Sequence, residues 1–221
     1  MHRAFLILLP TIAAFSAAGC VVGNASANGQ PYSDAHRASY TNFDGIDASA
    51  GVEVIVKQGA FDVQATSPNN ANLDNLIVEV RDHTLHISRK QKTMAWGDKA
   101  HYRVDVSAPA YTGFEASSGA SISGANLQLA NVDVDVTSGA SIELSGACKA
   151  LRGGASSGAR YSGKNLKCET ANLEASSGAS AQAFAVSAAS GQASSGASVN
   201  FFGNPARLDR DVSSGGSVST R

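Results

Sequence analysis

One short phrase governs what this chain can fold into. Ser117-Ser118-Gly119-Ala120-Ser121 returns at Thr137 to Ser141, Ser156 to Arg160, Ser176 to Ser180, Ser194 to Ser198 and Ser213 to Ser217. From Gly119 through Gly139, Gly158, Gly178 and Gly196 to Gly215 the steps are 20, 19, 20, 18 and 19 residues. A fixed period of that length marks a solenoid, whose units bury a core only by stacking on one another.

Aligned on these glycines, the repeats read as columns. Three residues after the glycine stand Ile122, Ile142, Tyr161, Ala181, Val199 and Val218; three before stand Ala116, Val136, Ala155, Ala175, Ala193 and Val212. Both columns are apolar. Since a strand alternates its faces, positions an odd number of residues from the glycine are expected inside and the Ser-Gly-Ser stripe outside, which puts the serine just before each glycine inside. Ten residues before the next glycine a further apolar column is expected, of Leu129, Cys148, Cys168 and Val186. Val132-Asp133-Val134-Asp135-Val136 alternates with period two, and no stretch of the repeats keeps helical spacing. The expected fold is therefore all-β: a single-stranded parallel β-helix with coils of 18–20 residues, each about 4.8 Å above the last.

The flanking chain reads in order. Residues 1–20 form a secretory signal: Met1-His2-Arg3 is basic, Ala4 to Ala18 mostly apolar, and Ser16-Ala17-Ala18-Gly19-Cys20 resembles a bacterial lipobox that would lipidate Cys20. Cleavage after Ala25-Ser26-Ala27 is the rival, giving a secreted or periplasmic protein. With Val21 after the cysteine there is no acidic retention signal, so outer-membrane anchoring follows if Cys20 is lipidated. Residues 21–38 are expected as a flexible tether and 39–221 as one domain, with N-terminal strands and a hairpin over 39–112 and regular repeats over 113–221. Leu76 to Arg81 and Thr84 to Ser88 flank Asp82-His83 as that hairpin. The net charge of −1, with no basic cluster, excludes nucleic acid as the expected partner.

Phe43-Asp44-Gly45-Ile46-Asp47-Ala48-Ser49-Ala50-Gly51-Val52-Glu53-Val54, the hairpin over 78–88 and the serial Ser-Gly-Ala-Ser phrases resemble the head GIN-domain family, known by the label autotransporter adhesin head. The resemblance implies a β-helical, exported bacterial protein and brings no catalytic residues or cofactor with it. Asp47-Ala48-Ser49-Ala50-Gly51-Val52 also echoes Glu115-Ala116-Ser117-Ser118-Gly119-Ala120, so the coiling is expected to begin before residue 50.

Several residues invite chemistry. Cys148 and Cys168 share a column in adjacent coils, within reach of a disulfide; two stacked buried thiols are the other reading. Asp133 and Asp135, about 6.7 Å apart on one strand face, suit a glycosidase or calcium site, but Arg152 next in the Asp133 column favours a solvated face. Inter-coil ion pairs are expected between Asp133 and Arg152 and between Lys149 and Glu169. Met94, Trp96, His101 and Tyr102 mark the 90–102 segment as a binding patch, or Trp96 as a lid over the core. No metal or cofactor site is expected, and neither His83 nor His86 stands in a catalytic spacing.

The expected function is a non-enzymatic cell-envelope module that binds a protein or glycan surface, with a polysaccharide lyase or hydrolase as alternative. An open C-terminal coil further suggests a homo-oligomer, and any membrane contact would run through the lipid anchor alone.

Overall fold

The computed structural model describes residues 31–68, 72–90 and 100–221, and the signal segment with Cys20 lies outside them. Four long strands carry the regular repeats: β8 (Ser121–Val136), β9 (Ser141–Ala155), β10 (Arg160–Ala175) and β11 (Ser180–Ala193). They stack in parallel, register following the period: Ile122 lies beside Ile142, Ile142 beside Tyr161 and Tyr161 beside Ala181. The protein is a β-solenoid.

Alternation of buried and exposed residues is interrupted twice in β8, β9 and β10, as at Ala125-Asn126 and Ala130-Asn131 in β8, and once in the shorter β11, at Val186-Ser187. Two outward residues in succession turn the chain, so β8, β9 and β10 each have three short arms. The repeated phrase makes the remaining corner. Ser118 and Gly119 both adopt positive φ, 50° and 73°, and Ala120 N–H donates to the Ser117 carbonyl at 3.0 Å. This is the left-handed tight turn that glycine enters without penalty and that serine tolerates. The serine before each glycine, expected inside, therefore sits exposed on the corner, because a turn and not a strand occupies these positions.

The corners bond to one another. Gly119 N–H donates to the Ser138 carbonyl of the next coil, and Gly139 to Ser157, Gly158 to Ser177, Gly178 to Ser195 and Gly196 to Ser214 follow at 3.1–3.2 Å. Ala50 and Gly51 make the same turn, φ 58° and 73°, so the coiling begins before residue 50.

That first coil consists of β1 (Gly45–Ala48) and β2 (Glu53–Gln58). The chain then leaves the stack through β3 (Asp62–Thr66), β4 (Leu76–Arg81), β5 (Thr84–Arg89) and β6 (Arg103–Ala108). β5 lies parallel to β1 and β6 parallel to β2, making one more layer, while β4 and β3 pair antiparallel with β5 and β6 and close that end. β5 and β6 thus flank, in their own layer, the corner that Ala50 and Gly51 make between β1 and β2. β7 (Gly113–Ala116) re-enters the stack between β1 and β8. The hairpin turns at Asp82-His83, both at positive φ. Residues 31–38, expected in the tether, belong to the folded domain: Tyr32 is buried, Asp34–Ser39 forms a 3-10 helix, and the Arg37 guanidinium holds both carboxylate oxygens of Asp62, at 2.7–2.8 Å.

At the other end stand β12 (Ser198–Phe202), β13 (Arg207–Val212) and β14 (Ser217–Thr220). The core narrows toward them. β11 fills its interior with Ala181, Ala183, Ala185, Ala189 and Ala193, all buried. Tyr161 on one side and Phe201 on the other supply the missing volume. A Cβ at Gly191 would meet Phe201 Cε2 and Val218 Cγ1 at 2.8 Å, and one at Gly163 would collide with the Tyr161 hydroxyl. The Tyr161 hydroxyl is buried and has no hydrogen-bond partner among the described residues, and burial pushes its pKa up.

Candidate ligand-binding face

The third arm, leading into the corner, forms a parallel sheet along the whole stack: β5, β1, β7, β8, β9, β10, β11 and β13 in spatial order. Its inward residues are the apolar columns, so its outward residues align as rows across the strands. One row, four residues before the corner glycines, reads His86, Asp47, Glu115, Asp135, Gly154, Glu174, Gln192 and Asp211. The next reads Asp133, Arg152, Asn172, Ser190 and Asp209. A third holds Asn131, Ala150, Thr170, Ala188 and Arg207.

Three shallow grooves of about 430, 680 and 420 Å³ open on this one sheet. The largest spans the second and third rows, and small side chains at Ala150, Ala188 and Ser190 leave its floor low. The others follow the acidic row, deepened where Gly154 interrupts it.

Electrostatics differ between the rows. Lost hydration first, then the negative charges of Asp47 and Asp135 on the adjacent strands, raise the Glu115 carboxyl pKa, with His86 opposing them. At the head of that row His86 Nδ1 lies 2.8 Å from Asp47 Oδ2. In the second row Asp133 and Arg152 are register neighbours, but the expected ion pair between them is not formed, nor is the one between Lys149 and Glu169. At exposed positions the Coulombic gain is comparable to the entropy of fixing two long side chains, so adjacency alone does not close a pair. Among the described residues Arg152 is consequently left without a partner, and beside it Asn172 Oδ1 is buried and equally unpaired.

Asp133 and Asp135 stand side by side on one strand and do not oppose each other across a cleft, the arrangement that acid–base cleavage of a glycoside requires. Among the described residues no cluster of His, Cys, Asp or Glu has metal-binding geometry.

The other expected site residues lie elsewhere. Cys148 and Cys168 are joined as a disulfide between β9 and β10, Cα atoms 4.4 Å apart. Their column continues into Ala185, not Val186: β11 belongs to the shortest coil, and the shift leaves Val186 55% exposed. His101 Nε2 lies 3.0 Å from Glu53 Oε2, and Tyr102 is a core residue whose hydroxyl donates to the Asn72 carbonyl at 3.1 Å. Tyr102 is thus a core residue and not an exposed contact; Met94 and Trp96 lie outside the described residues. Nothing in the sequence singles out Asn172, because an unpaired amide is visible only in three dimensions. Glu115 could have been found by extending the acidic column one coil toward the N-terminus.

Residues 42–205 match the family described as "Putative auto-transporter adhesin, head GIN domain". The chain belongs to that family. Solved structures share the GIN-domain fold at low identity. A putative adhesin from Bacteroides fragilis has a TM-score of 0.64 at 15% identity, covering 82% of this chain and 93% of that one. A putative adhesin from Parabacteroides distasonis has a TM-score of 0.51 at 13% identity, with the same 82% and 93% coverage. No curated protein matches the sequence. Among the described residues of this GIN domain, no helix is long and apolar enough to cross a membrane.

Proposed function

We propose that this GIN domain is a non-enzymatic, adhesin-like module of the cell envelope that holds an extended partner along the outward face of its third arm. The observation that carries the reading is that three shallow grooves open side by side on one sheet. A long, flat, polar surface with several shallow depressions suits recognition of a repeating surface, whereas an enzyme concentrates its polar groups in one pocket. The family label points the same way.

Export and anchoring follow from the leader: the basic start, the apolar run and Cys20 direct the chain out of the cytoplasm and attach a lipid, with the outer membrane as destination. Metabolic labelling with a palmitate analogue should mark the wild-type chain and not Cys20→Ser; equal labelling of the variant removes the anchor.

Ala188→Trp tests the face by filling its largest groove. Binding of the full chain to a glycan array or to cells should be lost in Ala188→Trp and kept in Trp96→Ala. The opposite pattern would transfer recognition to the 90–102 segment. Self-association through the outer edges of β13 and β14 is the weaker reading, because Arg210 occupies a column that reads Phe114, Val134, Gly153, Leu173 and Gly191 in earlier coils. A charge at an inward position of an edge strand opposes pairing with a second edge. Sedimentation velocity should show a monomer, and a concentration-dependent dimer would restore edge pairing.

A further inference from the structure

We infer that the partner held by this face is a neutral polysaccharide chain, lying across the strands on the row Asp133, Arg152, Asn172, Ser190 and Asp209. The inference rests on the face being the contact surface and names its ligand class.

The first ground is the chemistry of the row. Carboxylates at both ends accept only, the guanidinium of Arg152 donates only, and the amide and hydroxyl between them do both. Asp133 and Asp209 are balanced by Arg152 and by Arg207 in the neighbouring row, so this groove carries no net charge with which to select an ion. What such a row matches is a chain offering a donor and an acceptor in every repeat, which is the character of a sugar with free hydroxyls. A polycation would prefer the acidic row; a polyanion would meet carboxylates at both ends of this one.

The second ground is that two adjacent groups are left over. Arg152 forms no ion pair although Asp133 is its register neighbour, and Asn172 Oδ1 has no donor. A ligand hydroxyl that donates to Asn172 Oδ1, brought to the surface by rotation of that half-buried side chain, and accepts from Arg152 satisfies both. No protein group among the described residues does so.

The third ground is spacing. Successive strands present equivalent side chains about 4.8 Å apart, so β8 to β13 span about 19 Å along the stack. A linear glycan crossing the strands meets a fresh polar side chain at nearly every sugar. The row has no aromatic ring on which a sugar could stack, so each unit binds weakly and affinity comes from engaging several units at once.

The test measures affinity of the purified full chain for neutral linear glycans, a β-glucan, a mannan and dextran, in fragments of increasing length, beside poly-L-lysine and heparin. Affinity for a neutral glycan should climb with fragment length until the row is spanned. Arg152→Ala with Asn172→Ala should lower it at least about tenfold, through loss of a charge-assisted and a neutral hydrogen bond. Both side chains face outward, so an unchanged thermal unfolding midpoint will show that the variant is folded. Binding of poly-L-lysine or heparin that Ala188→Trp abolishes, with no neutral glycan bound, overturns the ligand class and leaves the face as the contact surface. Absence of every probe, together with cell binding unaffected by Ala188→Trp, overturns both.

Discussion

The region before residue 112 and the repeats after it build the same stack by different means. The first packs wide aliphatic layers, Ile46, Val54, Val56, Leu85, Ile87, Val104 and Val106, and braces its surface with charge. Every ion pair except Arg207–Asp209 lies there, among the described residues. The repeats mix alanine with larger aliphatics, turn to alanine inside β11, and depend on backbone ladders, one disulfide and a few large aromatic side chains. Burying alanine removes little apolar surface, so cohesion must come from amides that find partners in neighbouring coils. Order can thus be imposed by side-chain volume or by repetition of backbone contacts, and this chain uses the first where it is irregular and the second where it is regular.

That contrast can be broken most severely at Phe201, whose ring compensates for the alanine-lined coil beside it. Phe201→Ala should cost about 3–5 kcal/mol in a denaturant titration, because alanines on backbone ladders cannot collapse into the space. A loss below about 1 kcal/mol would mean that the repeats do not need the aromatic fill. The covalent brace comes next. Cys148→Ser with Cys168→Ser opens a link between residues 20 apart, and should lower stability by about 3 kcal/mol. Wild-type protein under reducing conditions should lose a similar amount, and an unchanged denaturation midpoint would show the ladders to be sufficient alone.

Tyr161→Phe sharpens the comparison in the opposite direction. It keeps the ring that brackets the coil and deletes a hydroxyl without a partner, so unfolding should move upward by about 1–3 kcal/mol. Destabilisation would reveal a buried partner for that oxygen. The smallest effect lies at the junction of the regions, where Glu115 sits between Asp47 and Asp135. Its folded pKa is raised above the unfolded value, so its ionised form opposes folding. That penalty is complete above the raised pKa, fades as the pH falls through it, and is absent below the ordinary carboxylate range. Glu115→Gln should therefore raise the melting temperature slightly near neutral pH and leave it unchanged in acid; an equal gain at both pH values would rule out the charge as cause.

Much of this was legible in the residues. The inward columns through Ile122 and Ala116 are the core except in the last coil, where Val212, expected inside, is 49% exposed because no further coil covers it, and the echo at Asp47 to Val52 is a true first coil. Periodicity reported what recurs in every turn. It misplaced what depends on local geometry: the serine before each glycine reads as part of a strand until its positive φ makes it a corner, and Val186 left its column because one coil is shorter. The excursion from β3 to β6 has no period, so its strands could be named from alternation but not their return beneath β1 and β2. The binding face was half visible. Asp133, Asp135 and Arg152 stood out by charge, while Asn172 is distinguished only by lacking a partner.

The corner turns have one consequence for descent. Each bonds only to the corners directly above and below it, so a coil has no knowledge of how many others the stack contains. Duplication of one repeat, or its deletion, leaves the ladder of corners intact, although it changes which row residues and which core partners, the Cys148–Cys168 bridge among them, stand side by side. The reach of such a protein is an integer that a single recombination event can raise or lower by one.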